Sequence, residues 1–145
     1  MAMQERKDYH INRLESWHAA NKKMAAEYVP PQSHPYSSGL LYLDLYFTVL
    51  SIILKTMCAP SEMAFDDYLL EFQHIYNTSE ILIQTTIAGA PVLSLDMCVI
   101  PPLCMIVCKC RFLSLRLKAL KLLESTPDRE GMWDRVTILK LCQDK

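Results

Sequence analysis

The sequence predicts an all-α protein, an irregular bundle of about five helices in a single domain. Three observations carry that prediction. Only three glycines occur in 145 residues, and sandwiches or barrels need glycine for their many tight turns. Leu, Met, Ala, Glu and Lys, the strong helix formers, are abundant. Long segments carry apolar residues at three- and four-residue spacing, the period of a helix with one face turned inward.

The first segment, from Met3 to about Tyr28, carries Leu14, Trp17, Met24 and Tyr28 on one helical stripe among many charges. Pro30 and Pro31 end it, because proline lacks an amide donor and restricts the residue before it. The stretch from Val29 to Gly39 has three prolines and three serines and no period, and reads as a linker. On this reading residues 1–39 form an N-terminal helix with its linker, and residues 40–145 a helical core.

Leu40 to Met57 is apolar nearly all round and reads as a buried helix. Cys58 to Glu62 interrupts the pattern, with Ser61 placed to cap a helix from Glu62 to about Thr86. Phe65, Leu69, Phe72, Ile75, Tyr76, Ile81 and Leu82 form its apolar side. Ala88 to Pro91 breaks that helix, and Val92 to Ile100 reads as an apolar loop. Pro101 and Pro102 then open one long helix reaching about Glu124, since proline is tolerated in a first turn. A last short helix covers about Gly131 to Cys142.

Composition narrows the function classes. A net charge of −1 gives no support for a phosphate-binding face. The N-terminus is polar and lacks the apolar run of a secretory signal. The six cysteines, Cys58, Cys98, Cys104, Cys108, Cys110 and Cys142, are therefore expected as reduced thiols of an intracellular protein. No segment reads as a transmembrane helix: Leu40–Cys58 contains Asp44 and Lys55, and Ile87–Cys108 contains Asp96 and two prolines. With glycine only at positions 39, 89 and 131, phosphate loops, dinucleotide fingerprints and nucleophile elbows cannot form in standard shape.

The tail IPPLCMIVCKCRFLSLRLKALKLLESTPDREGMWDRV, with Pro101, Pro102, Cys110, Arg111, Arg116, Arg129, Glu130, Gly131, Trp133 and Asp134, resembles the regulatory region of fungal zinc-cluster transcription factors. The stretch LLYLDLYFTVLSIILKTMCAPSEMAFDDYLLEFQHI is similar to an earlier part of that region. The resemblance spans about Leu40 to Trp133. It implies a non-catalytic regulatory and interaction domain in transcription control, nuclear or cytoplasmic. The contact would be with a protein partner, with the missing N-terminal half of the family domain, or with a second copy. It also implies a fragment, a stand-alone short gene or a decayed copy. Two departures stand out: Phe112 occupies a position usually acidic in the family, and the chain stops soon after Asp134.

The family's zinc cluster is built from Cys-x2-Cys-x6-Cys halves, and no cysteine pair here has a Cys-x2-Cys spacing. On a helix Cys104 and Cys108 share a face while Cys110 points away, so neither a metal site nor direct contact with nucleic acid is expected, nor any cofactor or membrane. Lys109, Arg111, Arg116, Lys118 and Lys121 form the densest basic run, read as a solvated helix face with long stems over apolar neighbours. Arg129, Glu130, Trp133 and Asp134 read as a structural closure of the last helix, and Gly131 as a residue meeting a special backbone angle. Asp66, Asp67 and Glu71 read as a solvated face, since adjacent residues on a helix point apart. His10, His18, His34 and His74 lack metal-ligand spacing. No catalytic residue is assigned. The competing reading is a small-molecule-binding helical protein or a small metabolic enzyme, its pocket formed by Met-, Cys- and aromatic-rich helices.

Overall fold

A computed structural model of the chain describes residues 2–27, 36–87 and 99–143. Among them lie six α-helices, one 3-10 helix and two strands of two residues each. Residues 28–35, with most of the predicted linker and His34, the Ala88–Pro91 break, the apolar loop before Val99 and Cys98 fall outside the described residues. The end of the predicted linker, Tyr36 to Gly39, is instead the first turn of the second helix. The all-α class is as the sequence predicts. The described chain forms two compact units, Met1–Ala64 and Phe65–Lys145.

In the first unit, α1 (Met3–Glu27) packs along α2 (Tyr36–Thr56). No residue of α1 is buried, which matches its sparse apolar stripe. The packing is held by specific contacts. The His18 ring lies flat on Phe47, centroids 3.5 Å apart and 4° from parallel, and its Nε2 sits 3.9 Å from Asp44 Oδ1. Lys7 Nζ donates to the Lys55 carbonyl at 2.8 Å.

The apolar residues of α2 divide between two faces. Leu45, Val49 and Ile52 are buried, with Thr48 and Thr56 beside them. Both threonine hydroxyls donate to the carbonyl four residues back, at 3.0 and 2.7 Å, which satisfies them inside an apolar face. Leu43, Leu50, Ile53 and Met57 lie on another stripe and are 36–54% exposed. The sequence predicts a fully buried helix here, and the structure corrects that to half. Gly39–Thr56 is also long and apolar enough to cross a membrane by length and composition, a test that a core helix passes equally. Asp44 and Lys55, which argue against a span in the sequence, are the two charges of that stretch.

The division between the units falls inside a 3-10 helix, Glu62–Tyr68, which leads into α3 (Leu69–Ile87). Ser61 Oγ accepts from the Met63 amide at 3.2 Å, so the predicted cap is in place, but it opens a 3-10 turn and not an α-helix. The predicted helix from Pro101 to Glu124 is two helices, α4 (Ile100–Lys109) and α5 (Leu113–Glu124). Cys110 leaves the helix with ψ 127° and Phe112 is extended with ψ 104°. The break folds the apolar face of α4 (Leu103, Ile106, Val107) against that of α5 (Leu115, Ala119, Leu123), and all six residues are buried. One continuous helix would leave those faces apart, at roughly 1.5–3 kcal/mol for each large side chain.

The last predicted helix also starts later than expected. Residues Arg129–Glu130 and Trp133–Asp134 form an antiparallel hairpin, β1 and β2, and α6 runs Arg135–Gln143. α4 packs against α3, α5 and α6, so it stands at the centre of this unit. Phe72, Ile75 and Leu82 from α3 and Ile138 and Cys142 from α6 are buried with the faces of α4 and α5.

Candidate functional site

The motif residues converge on the hairpin and the start of α4. Pro101 and Pro102 occupy the first turn of α4, where missing amide donors cost nothing. The N-cap residue, Val99, offers no side-chain cap. Glu130 supplies it from 30 residues along the chain: its Oε2 accepts from the Val99 and Ile100 amides at 2.9 and 2.8 Å. The side chain is 2% exposed. A carboxylate at a helix N-terminus meets both unpaired amides and the positive end of the helix dipole, which offsets the cost of burying it.

The hairpin aims that carboxylate. Glu130 pairs with Trp133 and Arg129 with Asp134 across a two-residue turn. Gly131 takes φ 55° there, the left-handed region that a β-carbon disfavours. Trp133 is half-buried. Asp134 then caps α6: its Oδ1 accepts from the Thr137 amide at 2.8 Å and the Thr137 hydroxyl at 2.7 Å. Those bonds hold the Asp134 carboxyl below its ordinary value. Arg129 Nε donates to the Gly131 carbonyl at 3.2 Å.

Arg135, which sequence reasoning did not single out, ties this closure to α5. Its guanidinium donates to the carbonyls of Glu124 and Thr126, at 2.9 and 2.6 Å, and pairs with Asp128. Carbonyls at a helix C-terminus have no partner inside the helix, and this arginine provides one. Nothing in its spacing announces that role, because the partners come from the end of a different helix.

The basic run does not form one face. Lys109 lies 5.3 Å from the Phe65 ring centroid, and Arg111 in the link pairs with Asp66 at 2.9 Å. Arg116 is half-buried, while Lys118 and Lys121 are exposed. The Asp66–Asp67 pair is divided by the same contact, with Asp66 turned to Arg111 and Asp67 exposed.

Chemistry of a different kind gathers at the thiols. α4 projects Cys104 and Cys108 from one face, one helical turn apart, with sulfurs 3.9 Å apart. α6 brings Cys142, 38 residues from Cys104, to 3.8 Å from the Cys104 sulfur. All three sulfurs lie within 4.8 Å of one another. Cys142 is buried, and Cys104 and Cys108 are half-buried. Burial, then the neighbouring sulfurs, pushes the Cys104 thiol far up; burial, then Cys108, likewise raises Cys142, opposed by its hydrogen bond with Cys104 and, less, by the charge of Arg116.

No family model, curated protein or solved structure matches this chain.

Cys110 is buried at the end of α4, and its thiol is raised by burial. It stands apart from the trio, as its helical position relative to Cys104 predicts. The sequence spacing points to Cys98, Cys104, Cys108 and Cys110 as the nearest cluster. The structure replaces Cys110 with Cys142. The only signal for Cys142 in the sequence is its place on the apolar side of the last helix, with Ile138 one turn before it. Cys58 is half-buried in the first unit. Of the histidines, His18 is used in packing on Phe47 and His10 is exposed.

Proposed function

We propose that this chain is a non-catalytic helical interaction module that binds protein through the exposed apolar stripe of α2. The supporting observation is the division of that helix: Leu45, Val49 and Ile52 are buried, whereas Leu43, Leu50, Ile53 and Met57 stand out on a second side. At about 100° per residue those four fall within one face of roughly 80°. Exposed large apolar residues are ordinary when scattered, but a continuous stripe of this kind marks a contact surface. A role in transcription control rests on the resemblance of the ordered residues from Leu40 to Trp133 alone. Under that reading Glu130, Gly131, Trp133 and Asp134 serve the architecture of the module, and recognition lies elsewhere.

The partner taken as the test case is a second copy of the chain. Light scattering at two protein concentrations, without detergent, should give a mass that rises with concentration. Leu50→Asp with Ile53→Asp changes only exposed positions, so the variant should stay helical and remain monomeric. A wild-type chain that is monomeric at both concentrations removes self-association. A double variant that associates as the wild type does removes the α2 face.

A second reading is favoured by Gly39–Thr56 alone, whose length and composition suit a membrane. Flotation with lipid vesicles separates the two. Co-flotation of wild type, lost in the double variant, supports the bilayer; soluble self-association without flotation supports the protein contact.

A further inference from the structure

We infer that Cys104, Cys108 and Cys142 form a binding site for one thiophilic metal ion of the zinc class, held by three thiolates with solvent as the fourth ligand. The geometry carries this. Zinc–sulfur bonds are about 2.3 Å, and in tetrahedral coordination that places neighbouring sulfurs about 3.8 Å apart. The observed separations are 3.9 Å for Cys104–Cys108 and 3.8 Å for Cys104–Cys142. Two of the ligands are one turn apart on a single helix and the third comes from a helix packed against it, so little backbone movement is needed to close the site. Among the described residues, no other Cys, His, Asp or Glu places its ligand atom in this group. Three protein ligands plus solvent is the pattern of a zinc site that keeps an exchangeable position.

Soft thiolates select zinc, copper(I) and related ions over calcium or magnesium. Binding displaces three protons: a divalent ion and three thiols give a tris-thiolate complex of net charge −1 and three hydrogen ions. Because the ion must displace the thiol protons, apparent affinity should fall steeply as pH falls. The ion would also pin α6 to α4, the central helix of this unit.

The test uses the full chain, reduced and metal-free, titrated with Co²⁺ and then Zn²⁺. One equivalent of Co²⁺ should give a thiolate-to-cobalt charge-transfer band, and Zn²⁺ should abolish it. Cys142→Ser and Cys104→Ser should each weaken binding at least about tenfold, the lower end of what altering a metal ligand's surroundings costs. Cys58→Ser should leave it unchanged. A measurement independent of the variants' folding is alkylation of wild type followed by peptide mass mapping. Zn²⁺ should protect Cys104, Cys108 and Cys142 and leave Cys58 as reactive as before. A folded wild-type chain with no cobalt–thiolate band overturns the site. Equal protection of Cys58 and the trio does so too, as does binding that survives loss of Cys142.

Discussion

Replacing Glu130 tests the account of the second unit most directly. Its Oε2 accepts hydrogen bonds from the amides of Val99 and Ile100 at the start of α4, and almost none of the side chain reaches solvent. In Glu130→Ala both amides lose their partner in a buried setting, at about 1–3 kcal/mol for each unsatisfied group, and a space opens. Two such amides together put the cost at about 2–6 kcal/mol. Glu130→Gln separates the causes. Its amide oxygen can still accept both bonds, so what disappears is the negative charge facing the helix dipole, about 1–2 kcal/mol in a buried geometry. The predicted order is wild type, Gln, then Ala, measured by urea unfolding followed by far-UV circular dichroism. A loss on the Ala scale is a large part of the 5–15 kcal/mol typical of a whole domain. Hydrogen exchange at the Val99 and Ile100 amides provides the local readout, and both should exchange faster in Ala than in Gln. An Ala variant within 0.5 kcal/mol of wild type, with unchanged exchange at those amides, would refute the claim that Glu130 caps α4.

Three further outcomes follow from the same structure. Leu123→Ala empties a fully buried position on α5 and should cost about 2–5 kcal/mol in the same unfolding assay, whereas Leu117→Ala, 56% exposed on that helix, should change it by less than about 0.5 kcal/mol. Gly131→Ala forces a β-carbon into φ 55° and should destabilise the hairpin by about 1–2 kcal/mol, with Gly131→Asn milder, as unfolding of purified variants would show. Burial first, then the Lys22 charge, holds His18 below its ordinary value of 6.5, while Asp44 pulls the other way. The folded state therefore binds fewer protons than the unfolded one, so this contribution is complete above pH 6.5 and is lost as pH falls through the lower folded value. NMR of the His18 ring should show the Phe47 ring-current shift fading in that acid range, and stability should lose part of its acid sensitivity in His18→Ala.

The legibility of the fold follows the range of the interactions. The start of α1, the existence of α2 and α3, the Ser61 cap and the place of Pro101–Pro102 in a first turn depend on residues within a turn or two of one another, so spacing and composition reveal them. The break at Cys110–Phe112 was not legible. It contains no glycine or proline and is favoured only by the burial of α4 against α5. The same holds for α2, whose all-round apolar character does not say which stripe is buried. The Trp133 segment reads as helix by composition, yet it is a hairpin, because Glu130 gains two buried hydrogen bonds when the chain reverses at Gly131.

Residue order alone settles the all-helical class, the order of the main helices and the separation of Cys110 from Cys104, since helix period and proline chemistry act within one segment. Packing between helices settles that Glu130 caps a helix 30 residues before it, that Arg135 serves the end of α5, and that Cys142 joins Cys104 and Cys108. These are contacts between segments far apart in the chain, and their partners are chosen by which packing buries the most apolar surface while pairing every buried polar group it can. That choice is made by all the helices of a unit together, and no local pattern records it.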